Sequence, residues 1–203
     1  MSCRSRRREE RATSPTTSRL PRHSTERASA FAGCVLGARS AWDAHADRAL
    51  ALAEVVASRE ADVSPRQLVH GDFWDNNVFF RGERLVAVAD FDFLAVRPRL
   101  DDLALTLYFA DSHLGLDTWR ERMTPLRMLV ESYDVAQDHP LSAAERLALP
   151  WAIGRQPLWG YGHWVVSLPE PAAQRHAAET ERDLDRVAAL VRDPRWAEAF
   201  VTR

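Results

Sequence analysis

Polar side chains crowd into one short apolar stretch of the chain, Leu68–Phe80, which reads LVHGDFWDNNVFF. Within it, Asp72 offers a carboxylate, and Asn77, five residues later, offers an amide oxygen. A second acidic sequence, DFD, begins at Asp90 directly after another apolar run. A carboxylate can accept the proton of a hydroxyl group, and carboxylate and amide oxygens are ligands that Mg²⁺ prefers. These residue types predict a general base beside a magnesium site.

A β-hairpin is predicted to bring these groups together. Its first strand is Asn77–Phe80, its turn is Arg81–Arg84 with the sequence RGER, and its second, buried strand is Leu85–Ala89. The loop before the first strand and Asp90 after the second strand lie at the same end of a hairpin, so we expect the oxygen-bearing groups to be neighbours. Phosphoryl transfer from ATP needs such a set, because a base must meet the attacking hydroxyl close to the metal-bound phosphates.

The same residues resemble the aminoglycoside phosphotransferase family, which includes other small-molecule kinases. The resemblance lies in His70–Asp72, in Asn77 five residues after the aspartate, and in Asp90–Asp92 after an apolar strand. It is close over Leu68–Leu107. The resemblance implies a protein-kinase-like fold, ATP as the phosphoryl donor, Mg²⁺ as the cofactor and a small-molecule hydroxyl group as the acceptor.

The resemblance also implies a role for each of the three central residues. Asp72 would be the catalytic base, and Asn77 and Asp90 would be the magnesium ligands. Each has a plainer explanation from the residues themselves. Asp72 could cap a turn, Asn77 could occupy a left-handed turn position, and Asp90 could cap a helix or sit in a loop.

Three further residues are expected to support the loop. Asp102, in an Asp-Leu-Ala sequence, matches a family aspartate that braces the catalytic loop. A histidine here could also act as a base, but His70 is expected instead to hold the loop through hydrogen bonds to the backbone. Asp92 is expected either to be a secondary metal ligand or to accept a bracing hydrogen bond.

Four residues are candidate contacts for the acceptor substrate. They are Trp74 and Asp75 in the loop, and Trp159 and Tyr161 in the sequence WGYGHW. Packing of aromatic side chains into a helical core explains Trp159 and Tyr161 equally well.

The composition resembles that of an ordinary soluble protein, with 203 residues, 46% hydrophobic, 28% charged and a formal net charge of −2. This charge gives no sign of a nucleic-acid or membrane partner, and no apolar run is long enough to span a bilayer. Cys3 and Cys34 have no metal-binding spacing and make no disulfide framework, which predicts a cytoplasmic location. All 27 residues counted as Lys or Arg are arginine.

The pattern predicts a predominantly α-helical α+β fold. Residues 1–30, rich in Arg, Ser and Thr, are predicted to be disordered because they carry too little apolar surface to fold. Residues 31–203 are predicted to form a kinase-like C-terminal lobe whose short hairpin carries the catalytic loop. A helix over Ala41–Ala61 and a strand over Gln67–His70 are predicted before the loop. Helices are predicted after Pro98, among them one over Thr118–Ala136 and one that begins at a capping box formed by Ser142 and Glu145.

The resemblance departs from a complete kinase of this type at its N-terminal side. Such kinases have an N-terminal β-lobe with a Gly-rich loop over the phosphates and a strand lysine that pairs with them. No Gly-rich loop precedes His70, and the chain has no lysine. We therefore expect a C-terminal lobe alone, with an exposed apolar patch near the hairpin where a separate N-lobe segment or a homodimer partner would pack.

Two functions fit these observations. The first is an ATP-dependent O-phosphotransferase for a small-molecule hydroxyl group, as a truncated form or a C-lobe fragment. The second is a catalytically inactive kinase-like domain that binds a ligand or a partner. The set Asp72, Asn77 and Asp90 favours the first function, and the absent lysine and Gly-rich loop favour the second. The sequence leaves open whether this chain is itself an enzyme.

Overall fold

The protein is described by a computed structural model at residues 43–59, 63–115, 118–161 and 170–201. The predicted disordered segment 1–30 lies outside these residues. In chain order the elements are α1 (Asp43–Arg59), β1 (Arg66–Val69), β2 (Val78–Arg81), β3 (Arg84–Val88), β4 (Ala95–Pro98), α2 (Leu100–Leu114), α3 (Trp119–Ala136), α4 (Ala143–Gly160) and α5 (Glu170–Arg192). The expectation of a predominantly helical α+β fold is confirmed.

Two of the helices begin at sequence signals that satisfy their first backbone N–H groups. Thr118 caps α3 in a capping box with Glu121, and Ser142 caps α4 in a capping box with Glu145. The predicted helix beginning at Thr118 and the predicted capping box at Ser142 are both confirmed. These caps fix where α3 and α4 start.

The central helix is α4, because its residues belong to two separate buried clusters. On one side it packs with α2, α3 and the C-terminal segment around Trp196 and Phe200. On the other side it packs with α1 and α5, around Leu158, Tyr161 and Leu184. Burial of such apolar side chains is the main stabilising term in a fold of this kind. The helical body therefore has its own core, apart from the strands.

A buried ion pair joins the start of α2 to the start of α4. The Arg99 guanidinium donates to both oxygens of the Glu145 carboxylate, at 2.8 and 2.7 Å, and Ser64 donates to the same carboxylate at 3.0 Å. Burial raises the pKa of Glu145, but the hydrogen bonds from Arg99, Ser142 and Ser64 outweigh it and lower the pKa to about 2. Arg99 and Glu145 are 6% and 2% exposed, so the pair is charged inside the protein.

The strands form two antiparallel pairs rather than the single predicted hairpin. β2 pairs with β3, as expected, and β1 pairs with β4, in register Arg66↔Pro98 through Val69↔Ala95. The sequence analysis did not predict β4. Its sequence, AVRP, is short and ends in proline, which weakens the strand signal.

One prediction about the hairpin is wrong: Leu85–Ala89 was expected to be a buried strand. Leu85 and Val86 on β3 are 48% and 49% exposed. An apolar run is buried only if another layer covers it, and Phe79 and Phe80 on the paired strand β2 are also exposed, at 49% and 61%.

The predicted apolar patch near the hairpin is confirmed. Large apolar side chains on and beside the two strand pairs are between 41% and 62% exposed: Leu68, Phe79, Phe80, Leu85, Val86, Phe91, Phe93, Leu94 and Val96. Large apolar side chains grouped on a surface in this way often mark a contact site. No helix in the described ranges combines the length and the apolar character needed to cross a membrane.

Candidate active site

The loop between β1 and β2 starts with a turn that only glycine can make. Gly71 has a φ of +81°, and a Cβ atom added there would lie 2.3 Å from the carbonyl oxygen of Phe93. The loop backbone therefore runs against the segment that leads from Asp90 to β4. This close approach brings the two halves of the predicted site together.

The His70 side chain ties the loop to the end of β3. Its Nε2 lies 2.9 Å from the Ala89 carbonyl oxygen, and the Asp72 backbone N–H donates to its Nδ1 at 3.3 Å. A neutral imidazole with the proton on Nε2 satisfies both contacts. The His70 ring also lies 4.9 Å from the Phe91 ring. His70 thus makes the backbone contacts that a supporting role requires.

The first turn of helix α2 is hydrogen-bonded to the loop. The Asp102 carboxylate accepts hydrogen bonds from the backbone N–H groups of His70 and Gly71, both at 2.7 Å. Hydrogen bonds to a charged acceptor are stronger than those between neutral groups. Asp102 therefore makes the bracing contact that the resemblance implies for it.

The two residues that carry the predicted chemistry are in direct contact. The Asn77 side-chain amide donates to the Asp72 carboxylate Oδ2 and to the Asp72 carbonyl oxygen, both at 2.8 Å. The Asn77 backbone N–H donates to the Trp74 carbonyl oxygen at 3.0 Å, within the 3₁₀ turn Asp75–Asn77. Both of these side-chain bonds are made by Nδ2 of Asn77. Its amide oxygen, Oδ1, therefore remains available to accept a bond from another group or to bind a metal ion.

Asp90 directly follows Ala89, the residue through which the end of the hairpin is hydrogen-bonded to the loop. The Ala89 backbone N–H donates to the Asn77 carbonyl oxygen at 2.9 Å. Asp90 itself has a φ of +63°, the only positive φ of a non-glycine residue among the described residues. Such backbone strain in a residue other than glycine often marks a functional position.

The described residues contain no group of three or more His, Cys, Asp or Glu side chains that could hold a metal ion. Mg²⁺ does not need such a group, because one or two protein oxygens and the phosphates of a nucleotide commonly hold it. The oxygens of Asn77 and Asp90 suit that mode of binding in their chemistry. The structure gives no contact that assigns Asp92 to either of its two predicted roles.

The loop residues Trp74 and Asp75 pack along helix α2. The Trp74 ring stacks on the Phe109 ring with centroids 4.2 Å apart, and the Asp75 carboxylate lies 3.3 Å from His113 Nδ1. The sequence analysis did not identify Phe109 or His113. The sequence does contain a signal for them. Phe109 and His113 follow Asp102 by seven and eleven residues, and this spacing places all three on one face of a helix.

The other two candidate acceptor contacts lie at the end of α4. Tyr161 is 1% exposed and belongs to the core cluster formed by α1, α4 and α5, so packing rather than acceptor contact explains it. Burial raises the pKa of Tyr161. Trp159 is 42% exposed, and no described contact joins it to the loop.

Comparison with known proteins supplies the family. A profile of the phosphotransferase enzyme family, APH, matches residues 11–147, which include the whole site. The chain belongs to this family of small-molecule kinases. The match extends well beyond the segment Leu68–Leu107 on which the resemblance was based.

A curated relative agrees with the family assignment. A homoserine kinase from Phenylobacterium zucineum (strain HLK1) is 34% identical over 110 residues, which is 49% of this chain and 31% of the relative. The chain thus spans about a third of the length of this relative. No solved structure matches the chain.

Proposed function

We propose that this chain carries the catalytic loop of an ATP-dependent O-phosphotransferase that acts on a small-molecule hydroxyl group. The contact between the Asn77 amide and the Asp72 carboxylate is the observation that carries the proposal. It fixes a carboxylate beside a free amide oxygen, in the order and spacing of a phosphotransferase loop. The fold is accordingly proposed to be a kinase-like C-terminal lobe.

Asp72 is the base in this proposal. Asn77 holds Oδ2, and within the described residues Oδ1 makes no hydrogen bond, so Oδ1 is the atom that takes the proton of the acceptor hydroxyl. The acceptor oxygen forms a bond to the γ-phosphorus of ATP while the bond from that phosphorus to the bridging oxygen breaks. The electron pair of the broken bond remains on ADP, and the proton remains on Asp72.

Asn77 and Asp90 would hold Mg²⁺, which supplies positive charge beside the phosphates when it is bound. The amide of Asn77 is oriented for this by its N–H bonds to Asp72. Asp90 is positioned by the backbone bond between Ala89 and Asn77. His70 and Asp102 keep the loop in register with both residues.

The acceptor is proposed to be a small amino alcohol. The support is that the curated relative is a homoserine kinase, and L-homoserine is therefore the first acceptor to test. Choline and an aminoglycoside are the next two, because kinases of the wider family act on them. The two cysteines, which form no disulfide framework, support a location in the reducing cytoplasm.

A second candidate function is a binding module that transfers nothing. The specific observation in its favour is that the chain has no lysine, whereas kinases of this fold use a lysine on the α- and β-phosphates. Loss of such a clamp would cost on the order of 4 kcal/mol of transition-state stabilisation, about a thousandfold in rate. This candidate predicts acceptor or nucleotide binding without ATP consumption.

The test is acceptor-dependent ADP release, measured with and without Mg²⁺. We expect turnover that requires Mg²⁺ and falls by about 10²–10⁴ in Asp72→Ala, the usual contribution of a general base. Glu83→Ala, in the exposed hairpin turn, is the matched control and should retain wild-type turnover. Equal turnover by Asp72→Ala and the wild type would refute the assigned base. Ligand binding without turnover in the wild type would favour the second candidate.

A further inference from the structure

Helix α2 contacts the loop over three turns rather than at Asp102 alone. Asp102, Thr106, Phe109 and His113 are spaced by four, three and four residues, so their side chains form one stripe along the helix. Their partners follow the loop in the same order. Asp102 binds His70 and Gly71, Thr106 reaches Phe73, Phe109 stacks on Trp74, and His113 lies beside Asp75.

We propose that Thr106, Phe109 and His113 are positioning residues for the catalytic loop, with Thr106 contacting the residue next to the proposed base. Asp72 lies in the chain between Gly71, which Asp102 binds, and Phe73, whose carbonyl oxygen is 2.8 Å from the Thr106 hydroxyl. The backbone on both sides of the proposed base is therefore held by the same rigid helix. The catalytic consequence rests on the proposed function, but the positioning does not.

The contact of Thr106 with the loop distinguishes it from other hydroxyl residues on helices. Thr124 on α3 bonds the carbonyl oxygen of Arg120, four residues earlier, and Thr106 makes the same local contact with Asp102 at 2.9 Å. The single hydroxyl proton of Thr106 is shared with a second acceptor, the Phe73 carbonyl oxygen, which is far away in sequence. Thr124 is therefore a control that shares the local bond and lacks the loop contact.

Phe109 acts on Asn77 through Trp74. The Trp74 indole N–H is buried and has no hydrogen-bond partner within the described ranges. The stack on Phe109, rather than a hydrogen bond, therefore helps to orient this ring. The Trp74 carbonyl oxygen in turn accepts the Asn77 backbone N–H. The stack thus helps to fix the end of the loop that carries the proposed metal ligand.

The three contacts should differ in strength. A neutral hydrogen bond and an aromatic stack each correspond to roughly a fivefold change in an equilibrium. His113 and Asp75 are 52% and 62% exposed, and an exposed pair of this kind changes an equilibrium by about twofold or less. The order of effect should therefore be Thr106 and Phe109, followed by His113.

The test is native-state hydrogen exchange at the Asp72 and Asn77 amides. In Thr106→Val we expect both amides to exchange roughly fivefold faster, with Thr106→Ser restoring the wild-type rates and Thr124→Val leaving them unchanged. Unchanged rates in a folded Thr106→Val protein would overturn the proposal. So would the same acceleration in Thr124→Val, because the effect would then not come from the loop contact.

Phe109→Leu decides the matter if Thr106→Val fails to fold. The Trp74 indole N–H gives its own NMR signal, which Trp74→Phe identifies by its disappearance. Loss of the Phe109 ring should shift this signal and speed exchange at the Asn77 amide, whereas an unmoved signal with unchanged exchange would contradict the proposal.

Turnover gives a separate readout. In an active wild type, Thr106→Val should lower kcat about fivefold with KM for ATP unchanged, and Thr106→Ser should restore kcat. An unchanged kcat would count against positioning. Absence of turnover in the wild type would refute the proposed function and leave the exchange result to decide positioning.

Discussion

The helical body of this protein and the loop that carries Asp72 and Asn77 are stabilised by different kinds of contact. The body buries apolar side chains in two clusters and also buries the ion pair of Arg99 with Glu145. The strands around the loop leave large apolar side chains exposed, including Phe80 at 61%. The loop itself is held mainly by hydrogen bonds, of which those to Asp102 are the shortest.

Helix α2 belongs to both regions. Leu103, Ala104 and Leu107 on one side of α2 lie in the core, and Asp102 and Thr106 on another side contact the loop. The core therefore fixes the helix, and the helix fixes the loop. It follows that substitutions in the body should lower global stability, whereas substitutions at the loop should change local geometry and activity. The predictions that follow test this separation.

The largest effect on stability is expected at the buried ion pair. Glu145→Ala leaves the Arg99 guanidinium buried without its carboxylate, which typically costs about 3–5 kcal/mol in the free energy of unfolding. Arg48→Ala removes an exposed ion pair with Asp185 and should cost less than about 1 kcal/mol. Urea denaturation of both variants measures the difference. Similar losses in the two variants would contradict the assignment of the buried pair to the core.

The same carboxylate predicts how stability depends on pH. Its pKa is lowered from 4.5 to about 2 in the folded protein, so its contribution is complete above pH 4.5 and is lost as the pH falls towards 2. Full loss corresponds to on the order of 3 kcal/mol. The stability advantage of the wild type over Glu145→Gln should shrink between pH 5 and pH 3. A constant difference across that range would show that the pKa is not lowered.

An intermediate effect is expected at the glycine that starts the loop. Gly71→Ala would place a Cβ atom against the Phe93 carbonyl oxygen in a left-handed conformation, at a cost of about 1–3 kcal/mol. Gly82→Ala has a similar φ of +61° with no atom within 4 Å and should cost about 1 kcal/mol. Thermal denaturation and exchange at the Asp72 amide measure both effects. Equal behaviour of the two variants would mean that the close approach is unimportant.

The smallest effect on folding is expected on the exposed hairpin. Phe80→Ser removes a side chain that is 61% exposed and should change the free energy of unfolding by about 0.5 kcal/mol or less. It should instead reduce self-association, measured by sedimentation velocity, because it breaks the exposed apolar patch. A large loss of stability would show that the hairpin is packed in solution.

The sequence predicted the local geometry of the loop better than the surroundings of the loop. Asp72, Asn77 and Asp90 were identifiable because their spacing is set by the loop itself, and the capping box at Ser142 was identifiable because it is local. The exposure of β3 and the pairing of β1 with β4 depend on what packs above them, which no local pattern contains. Tyr161 shows the same limit, since an aromatic residue near a helix end looks the same in a core and in a pocket.

The stripe of Asp102, Thr106, Phe109 and His113 on α2 could be predicted from the sequence only in part. Its helical spacing is visible in the sequence, but only the path of the loop shows that Thr106 and Phe109 face it. Polar and aromatic residues at such spacing usually lie on a solvated or core-facing surface. Their role therefore depends on tertiary contacts, in contrast to that of Asp72.

The most direct test of the separation between body and loop is hydrogen exchange at the Gly71 amide in Asp102→Ala and Glu145→Gln. Asp102→Ala removes both acceptor oxygens, so the Gly71 amide should exchange at least about tenfold faster, with little change in global stability. Glu145→Gln should lower global stability and leave local exchange at Gly71 unchanged. Acceleration of Gly71 exchange in proportion to global stability in both variants would contradict the account.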